Sequence, residues 1–269
     1  MRRFHAANAL LALLVLSGAT WAEIRASCPP GPMSDVVDRV RAVRREKQIP
    51  VVIFDLDDTL YRVSYRTKRI FVDWAARLPA QHDPMKASIA ALDPEKMPYH
   101  LATIMDMGGI KGQELRSSAL RRWSLFFFSN RYLGQDQPLP GSVAYVDLLV
   151  RSGATIVYLT GRNTRNMEAG TILSLRRAGF PVPGPGVRLM MKPTRRVDDL
   201  DFKRQTVGEI ARLGTVVGGF DNEPANVNLF REAFPGAIAV FVDTVHSDDP
   251  PPLMGGVVTI KDYSPGHWK

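Results

Sequence analysis

Apolar runs alternate with amphipathic stretches along most of this chain, and the alternation predicts its elements. Val51-Val52-Ile53-Phe54 follows the breaker Pro50 as an unbroken apolar run. Ala154 to Leu159, Thr215 to Phe220 and Ala237 to Val242 repeat the signature, and Val187 to Met191 is a weaker fifth case. Short, β-branched runs of this kind are strands covered on both faces, as inside a parallel sheet. Between them, Val143 to Arg151, Arg165 to Ala178 and Lys203 to Leu213 carry apolar positions at helical spacing. Strands alternating with helices predict right-handed crossovers and an α/β fold built on a doubly wound parallel sheet.

Two regions break the pattern. Residues 62–139 read as helical throughout, most clearly at Tyr65 to Leu78, Pro84 to Ala91 and Gly112 to Tyr132. They are expected to form a smaller helical cap, inserted into a core of residues 34–61 and 140–269 and placed over the crevice at the strand ends. At the start of the chain, basic Met1 to His5 precedes the apolar Ala6 to Ala19 and the small-residue ending Thr20-Trp21-Ala22. That order reads as a signal peptide over residues 1–22, cut near Ala19 or Ala22, with a bacterial periplasm as the expected destination. An uncleaved anchor is the alternative, although the apolar run is short for a bilayer. If cleavage occurs, no stable membrane insertion is expected. Residues 23–33 form a proline-rich linker, and Ser34 is placed to cap a helix with Val36, Val37, Val40 and Val43 on one face.

Composition adds exclusions rather than elements. With 45% apolar and 23% charged residues among 269, the chain can bury a full core, which excludes bulk disorder. The formal charge is +8, and +6 (33 basic against 27 acidic residues) once Arg2 and Arg3 leave with the signal peptide. Such an excess helps an anionic substrate approach. No basic run interleaved with aromatics accompanies it, so nucleic acid is not an expected partner. Cys28 is the only cysteine, which excludes an intrachain disulfide and a thiolate metal site.

The candidate chemistry lies where the strong strands end. Open α/β sheets bind ligands beyond the carboxyl ends of their strands, so Asp55, Thr160 and Asp221 are expected on one rim. Asp55-Leu56-Asp57-Asp58-Thr59-Leu60 follows the first strand. Thr160-Gly161-Arg162 closes the second, Lys203 opens a helix 18 residues before Asp221, and Asp221-Asn222-Glu223-Pro224 follows a fourth strand. In order and placement these segments resemble the four motifs of the haloacid dehalogenase superfamily. The insertion after the first motif matches that family's helical cap. The resemblance covers residues 50–60 and 140–245.

What the resemblance implies is a Rossmann-like core and magnesium-dependent hydrolysis of a phosphate monoester through an aspartyl-phosphate. Asp55 would be the nucleophile and a metal ligand. Asp57 would offer its backbone carbonyl to the metal and its side chain as general acid and base. An acid at that place favours phosphate esters over carbon–halogen bonds or phosphonates. Thr160 and Gly161 would hold phosphoryl oxygens, and Lys203 would neutralise charge, with Lys192 as its competitor. Asp221 and Asn222 would complete the Mg2+ site, with Glu223 as an outside alternative to Asn222. Arg162 and Arg165 stand where they could meet a second anionic group or simply be solvated.

A small phosphorylated metabolite is the expected substrate, because a cap restricts what fits beneath it. Two rivals stay open. One is a polynucleotide or protein phosphatase of the same superfamily, suggested by Asp-Asn-x-Pro. The other is a non-catalytic envelope binding protein that keeps the fold. The aromatic stretch Trp123 and Leu125 to Phe128 reads as cap packing, part of which could line a pocket.

Overall fold

A computed structural model describes residues 31–264; the signal-peptide segment, Cys28 and most of the linker lie outside them. Helix α1 (Pro32–Arg45) leads into β1 (Pro50–Phe54) and the short β2 (Tyr61–Arg62). The insertion follows with α2 (Ser64–Ala75), α3 (Asp83–Ala91), α4 (Leu101–Met107) and α5 (Gln113–Phe127), and β3 (Gln137–Pro138) closes it. The core resumes with α6 (Ser142–Arg151), β4 (Thr155–Asn163), α7 (Thr164–Ala178), β5 (Val187–Lys192) and α8 (Asp199–Ala211). It ends with β6 (Thr215–Asp221), α9 (Pro224–Ala233), β7 (Ile238–Val242) and β8 (Val258–Ile260). No helix among the described residues is long and apolar enough to cross a membrane.

Six strands form one sheet in the order β5-β4-β1-β6-β7-β8, with every pairing parallel. This is the predicted doubly wound sheet, and its two faces follow from the pleat of the strands. On one face, Val52 and Phe54 of β1 pack with Val36 and Val40 of α1, Val146 and Leu149 of α6, and Leu175 of α7. On the other, Val51 and Ile53 pack with Ile210 of α8 and Phe230 of α9. β1 is buried along its whole length, which is why its sequence shows no polar alternation. The insertion has a separate apolar cluster around Phe71, Trp74, Ile89, Ile104 and Ile110. Its ends are joined by β2 and β3, a two-strand antiparallel ribbon pairing Tyr61 with Pro138 and Arg62 with Gln137.

Several boundaries differ from expectation for local reasons. α1 begins at Pro32, inside the proline-rich stretch, because a proline suits the first helical position. Gly31 is the N-cap, and Ser34 acts from within the first turn, accepting from Gly31 N–H (3.0 Å) and donating to Gly31 O (2.7 Å). α8 begins at Asp199 rather than Lys203, since the Asp198 carboxylate caps the Asp201 N–H (3.1 Å). β4 runs on to Asn163, so Thr160 lies within the strand, just before a register shift against β5. Strand β8, helix α4 and the β2–β3 ribbon were not predicted; each is too short for its periodicity to register.

Phe220 is fully buried on β6 and stacks on Phe54 at 4.6 Å between ring centroids, linking the two strands that carry the site. Truncation there leaves a cavity beneath both. We expect Phe220→Ala to lower stability by about 3–5 kcal/mol, read from urea denaturation.

Candidate active site

The ladder between β1 and β6 continues one residue past β1, where the Asp55 N–H donates to Phe220 O (3.0 Å). This sets Asp55 beside Asp221, the last residue of β6. Between their carboxylates stands the ammonium of Lys203, projecting from α8. Its Nζ lies 2.9 Å from Asp55 Oδ1 and 2.6 Å from Asp221 Oδ2. All three side chains are buried. The other oxygen of Asp221 accepts from Glu223 N–H (2.9 Å) and Asn226 Nδ2 (3.1 Å), which fixes its orientation.

Burial, with the charges of Asp221 and Asp57 adding to it, pushes the Asp55 carboxyl well above its usual range even though Lys203 opposes the shift. Two carboxylates face one ammonium, so the trio keeps a net negative charge when both acids are ionised. Lys203 moves the other way. Burial alone would lower it, but the two carboxylates outweigh burial and hold it above its ordinary value. Of the two candidate lysines, Lys203 is the one that touches Asp55. Lys192 instead bonds Val197 O (2.9 Å) and pairs with Asp199.

Asp57 sits in a second charge cluster. Arg162 Nε donates to its Oδ1 (2.7 Å) and Arg66 NH2 to its Oδ2 (3.1 Å). Asp136 holds both guanidiniums from behind, at 2.9 Å from Arg66 Nε and 2.8 Å from Arg162 NH2. Arg66 is fully buried, Arg162 and Asp136 nearly so. Burial works to raise the Asp57 carboxyl, but Arg162 and Arg66 outweigh it and hold the group below its usual range. Arg162 is thus committed to carboxylates within the protein and not to a second anionic group of a substrate. Arg66 on α2 and Asp136 before β3 went unnoticed in the sequence. No local spacing connects positions 70 residues apart, and a buried arginine reads like any helix arginine.

Thr59 joins the first and fourth motifs. Its Oγ1 donates to Asn222 Oδ1 (2.9 Å) and accepts from Asn222 N–H (3.0 Å), while Asn222 Nδ2 donates to Val245 O (2.6 Å). Glu223 is held by Ser247, through N–H at 3.0 Å and Oγ at 2.6 Å. Asp58 adopts φ +52°, a left-handed conformation that Asp tolerates better than most residues, and this turns the chain between Asp57 and Thr59. Thr160 is buried, and its Oγ1 accepts from Arg162 N–H (3.3 Å). At Gly161 a Cβ would meet the Asp199 carboxylate, so a larger residue between Thr160 and Arg162 would require that exposed side chain to move.

Among the described residues, no three His, Cys, Asp or Glu side chains gather as a metal cage. The Asp57 carboxylate is turned to the arginines, and the Asn222 amide is engaged with Thr59 and Val245. Asp55 and Asp221 are the carboxylates that face each other across Lys203. A magnesium ion is ordinarily held by one or two carboxylates, with water and substrate phosphate completing its shell. An all-oxygen pair that keeps negative charge after Lys203 fits that ion.

Asp55, Thr160, Lys203 and Asp221 line one cavity of about 570 Å³ between core and cap, whose far wall carries Trp123, Phe127 and Phe128 of the insertion. Its volume is typical of small-molecule sites. Arg165 is exposed and lies outside its wall. His100, exposed at the wall, pairs with Asp248.

Removing one charge from the Asp57 cluster leaves two buried guanidiniums sharing a single carboxylate. Breaking a buried pair costs about 3–5 kcal/mol, so Asp136→Asn should lower the urea midpoint by that equivalent. A loss below about 1 kcal/mol would mean that the cluster does not hold cap and core together.

No family model and no curated protein matches this chain. Solved structures do resemble it. A protein named as a predicted phosphoglycolate phosphatase, from Haemophilus somnus, is 11% identical over 80% of this chain and 95% of its own, with a TM-score of 0.48. CbbY from Rhodobacter sphaeroides, solved with phosphate, is 14% identical over 80% and 95%, with a TM-score of 0.44. A class C acid phosphatase from Bacillus anthracis, solved with tungstate, is 15% identical over 74% and 66%, with a TM-score of 0.36. These likenesses concern the fold, and the functional reading rests on the residues of this site.

Proposed function

We propose that this chain is a magnesium-dependent phosphatase that hydrolyses a phosphate monoester with Asp55 as nucleophile. The observation that carries the reading is the Lys203 ammonium between the Asp55 and Asp221 carboxylates, at the floor of a capped cavity. A nucleophilic carboxylate has no proton to lose, but its charge repels a phosphate. Lys203 offsets part of that charge. Asp55 and Asp221, with the Asp57 carbonyl, would hold Mg2+, which supplies the remaining positive charge against the phosphoryl oxygens when bound.

In the first step an Asp55 oxygen bonds to phosphorus as the bond to the ester oxygen breaks, leaving an aspartyl-phosphate and an alcohol. In the second, water attacks the same phosphorus, the Asp55–phosphorus bond breaks, and inorganic phosphate leaves. Thr160 and the backbone at Gly161 would position phosphoryl oxygens. Asp57, held as a carboxylate by Arg162 and Arg66, has the form that accepts a proton from the attacking water. Protonating the departing ester oxygen requires the acid form, and Arg66 is the contact of Asp57 that belongs to the cap. Cap position and proton donation are thereby linked. The covered cavity supports a small substrate rather than a polynucleotide or a folded protein. Export through residues 1–22 belongs to the same reading, and N-terminal sequencing of the secreted protein, expected to begin after Ala19 or Ala22, tests it.

Assay of 4-nitrophenyl phosphate with and without magnesium tests the chemistry. Chelation should abolish turnover and added magnesium restore it. Asp55→Asn should reduce kcat roughly 10⁴-fold or more while the protein remains folded. Substantial activity in that variant would remove Asp55 as the nucleophile. A wild-type protein inert toward every ester would favour a binding role.

A further inference from the structure

We infer that the phosphate ester taken by this site carries a flat, aromatic leaving group. The inference rests on the phosphatase reading above and concerns the half of the cavity that faces Asp55.

That wall is built from rings. Trp123 and Phe127, one helical turn apart on α5, stack at 4.4 Å between centroids with an interplanar angle of 25°. Phe128 stands edge-on to both, at 5.7 Å from Trp123 and 5.0 Å from Phe127. All three are half-buried and line the cavity. The buried cluster of the cap does not absorb them: Trp123 only packs against its margin, and Phe127 and Phe128 stand apart from it. Their ring positions are also held from behind. Trp123 Nε1 donates to Thr67 Oγ1 (3.1 Å), and the Arg66 guanidinium lies over Phe127 at 4.1 Å. A rigid, partly exposed aromatic wall in a ligand-sized cavity favours a planar apolar body through stacking and area burial.

Most cations of the cavity are already engaged within the protein. Four lysines and arginines line it, and three are paired with carboxylates of the protein: Lys203, Arg162 and Lys192. Arg195 has no carboxylate partner among the described residues. It bonds Ser124 Oγ (3.1 Å), and its guanidinium stands over the Phe128 ring at 4.1 Å. Of the carboxylates that also line the cavity, Asp199 is taken by Lys192 and Glu223 by Ser247. Hydroxyl-rich esters do not match this wall, because they would leave their polar groups against the rings.

Esters of similar leaving-group chemistry separate binding from intrinsic reactivity. Wild-type protein with magnesium should hydrolyse 2-phenylethyl phosphate with kcat/KM on the order of tenfold above that for glycerol 3-phosphate, chiefly through KM. Trp123→Leu should reduce that ratio severalfold, and Phe128→Leu provides the same test if the first variant folds poorly. The ratio does not depend on the folded fraction. A wild-type ratio near one, or a ratio unchanged in both variants, overturns the inference. If neither ester is hydrolysed, the phosphatase reading fails. Calorimetric titration of both esters into Asp55→Asn then still decides the ligand: tighter binding of 2-phenylethyl phosphate supports the inference, and equal binding overturns it.

Discussion

Two carboxylates buried side by side cannot both stay ionised without a cation between them, and in this protein that cation is Lys203. The requirement reaches well beyond the three side chains. It needs β1 and β6 to be neighbours, so that Asp55 and Asp221 meet at one rim. It also needs α8 to cross the sheet at the height where its second turn faces that rim. The strand order, with β1 at the centre, and the burial of Val51 to Phe54 on both faces serve this single juxtaposition. The site is preorganised in the sense that the charges are already opposed before any phosphate arrives.

Asp57 belongs to a separate electrostatic world only two residues away. Its two arginines are each shared with Asp136, so four charged groups form a nearly closed ring with no net charge. Two of the four, Asp57 and Arg162, come from the core, while Arg66 and Asp136 come from residues 62–139. A buried ring of this kind is weak evidence for added stability, since desolvation offsets much of the attraction. Its clearer effect is on geometry, because each member is held by two partners, one from the core and one from residues 62–139.

The sheet and the acids at its rim were legible because each depends on local chemistry. An unbroken β-branched run means burial on two faces, and Asp55, Thr160 and Asp221 stand at or near the ends of such runs. Lys203 was recognised by its place relative to the fourth motif, although its helix begins a turn earlier than expected. What escaped notice depends on contacts distant in sequence. Nothing near Arg66 announces Asp136 or Asp57, and nothing in Asn222 reveals that Thr59 and Val245 engage both ends of its amide. Trp123, Phe127 and Phe128 were visible as aromatics, but whether rings turn inward to the cap or outward to a cavity depends on how α5 packs, which periodicity does not record. The short β2–β3 ribbon lies below the length at which alternation carries information.

That ribbon has an evolutionary consequence. Because Tyr61 and Arg62 pair with Pro138 and Gln137, the two points where the chain leaves and re-enters the core are as close as the ends of a hairpin. Closing a longer or shorter excursion between such anchored ends costs only about 0.6 kcal/mol for each doubling of length. The core can therefore tolerate large exchanges of the intervening segment with little penalty to its own folding, and a lineage could trade ligand preference by replacing one contiguous stretch. Such a replacement would not be neutral for the chemistry, however. Arg66 and Asp136 travel with the exchanged piece, so each new cap would bring its own electrostatic setting for Asp57.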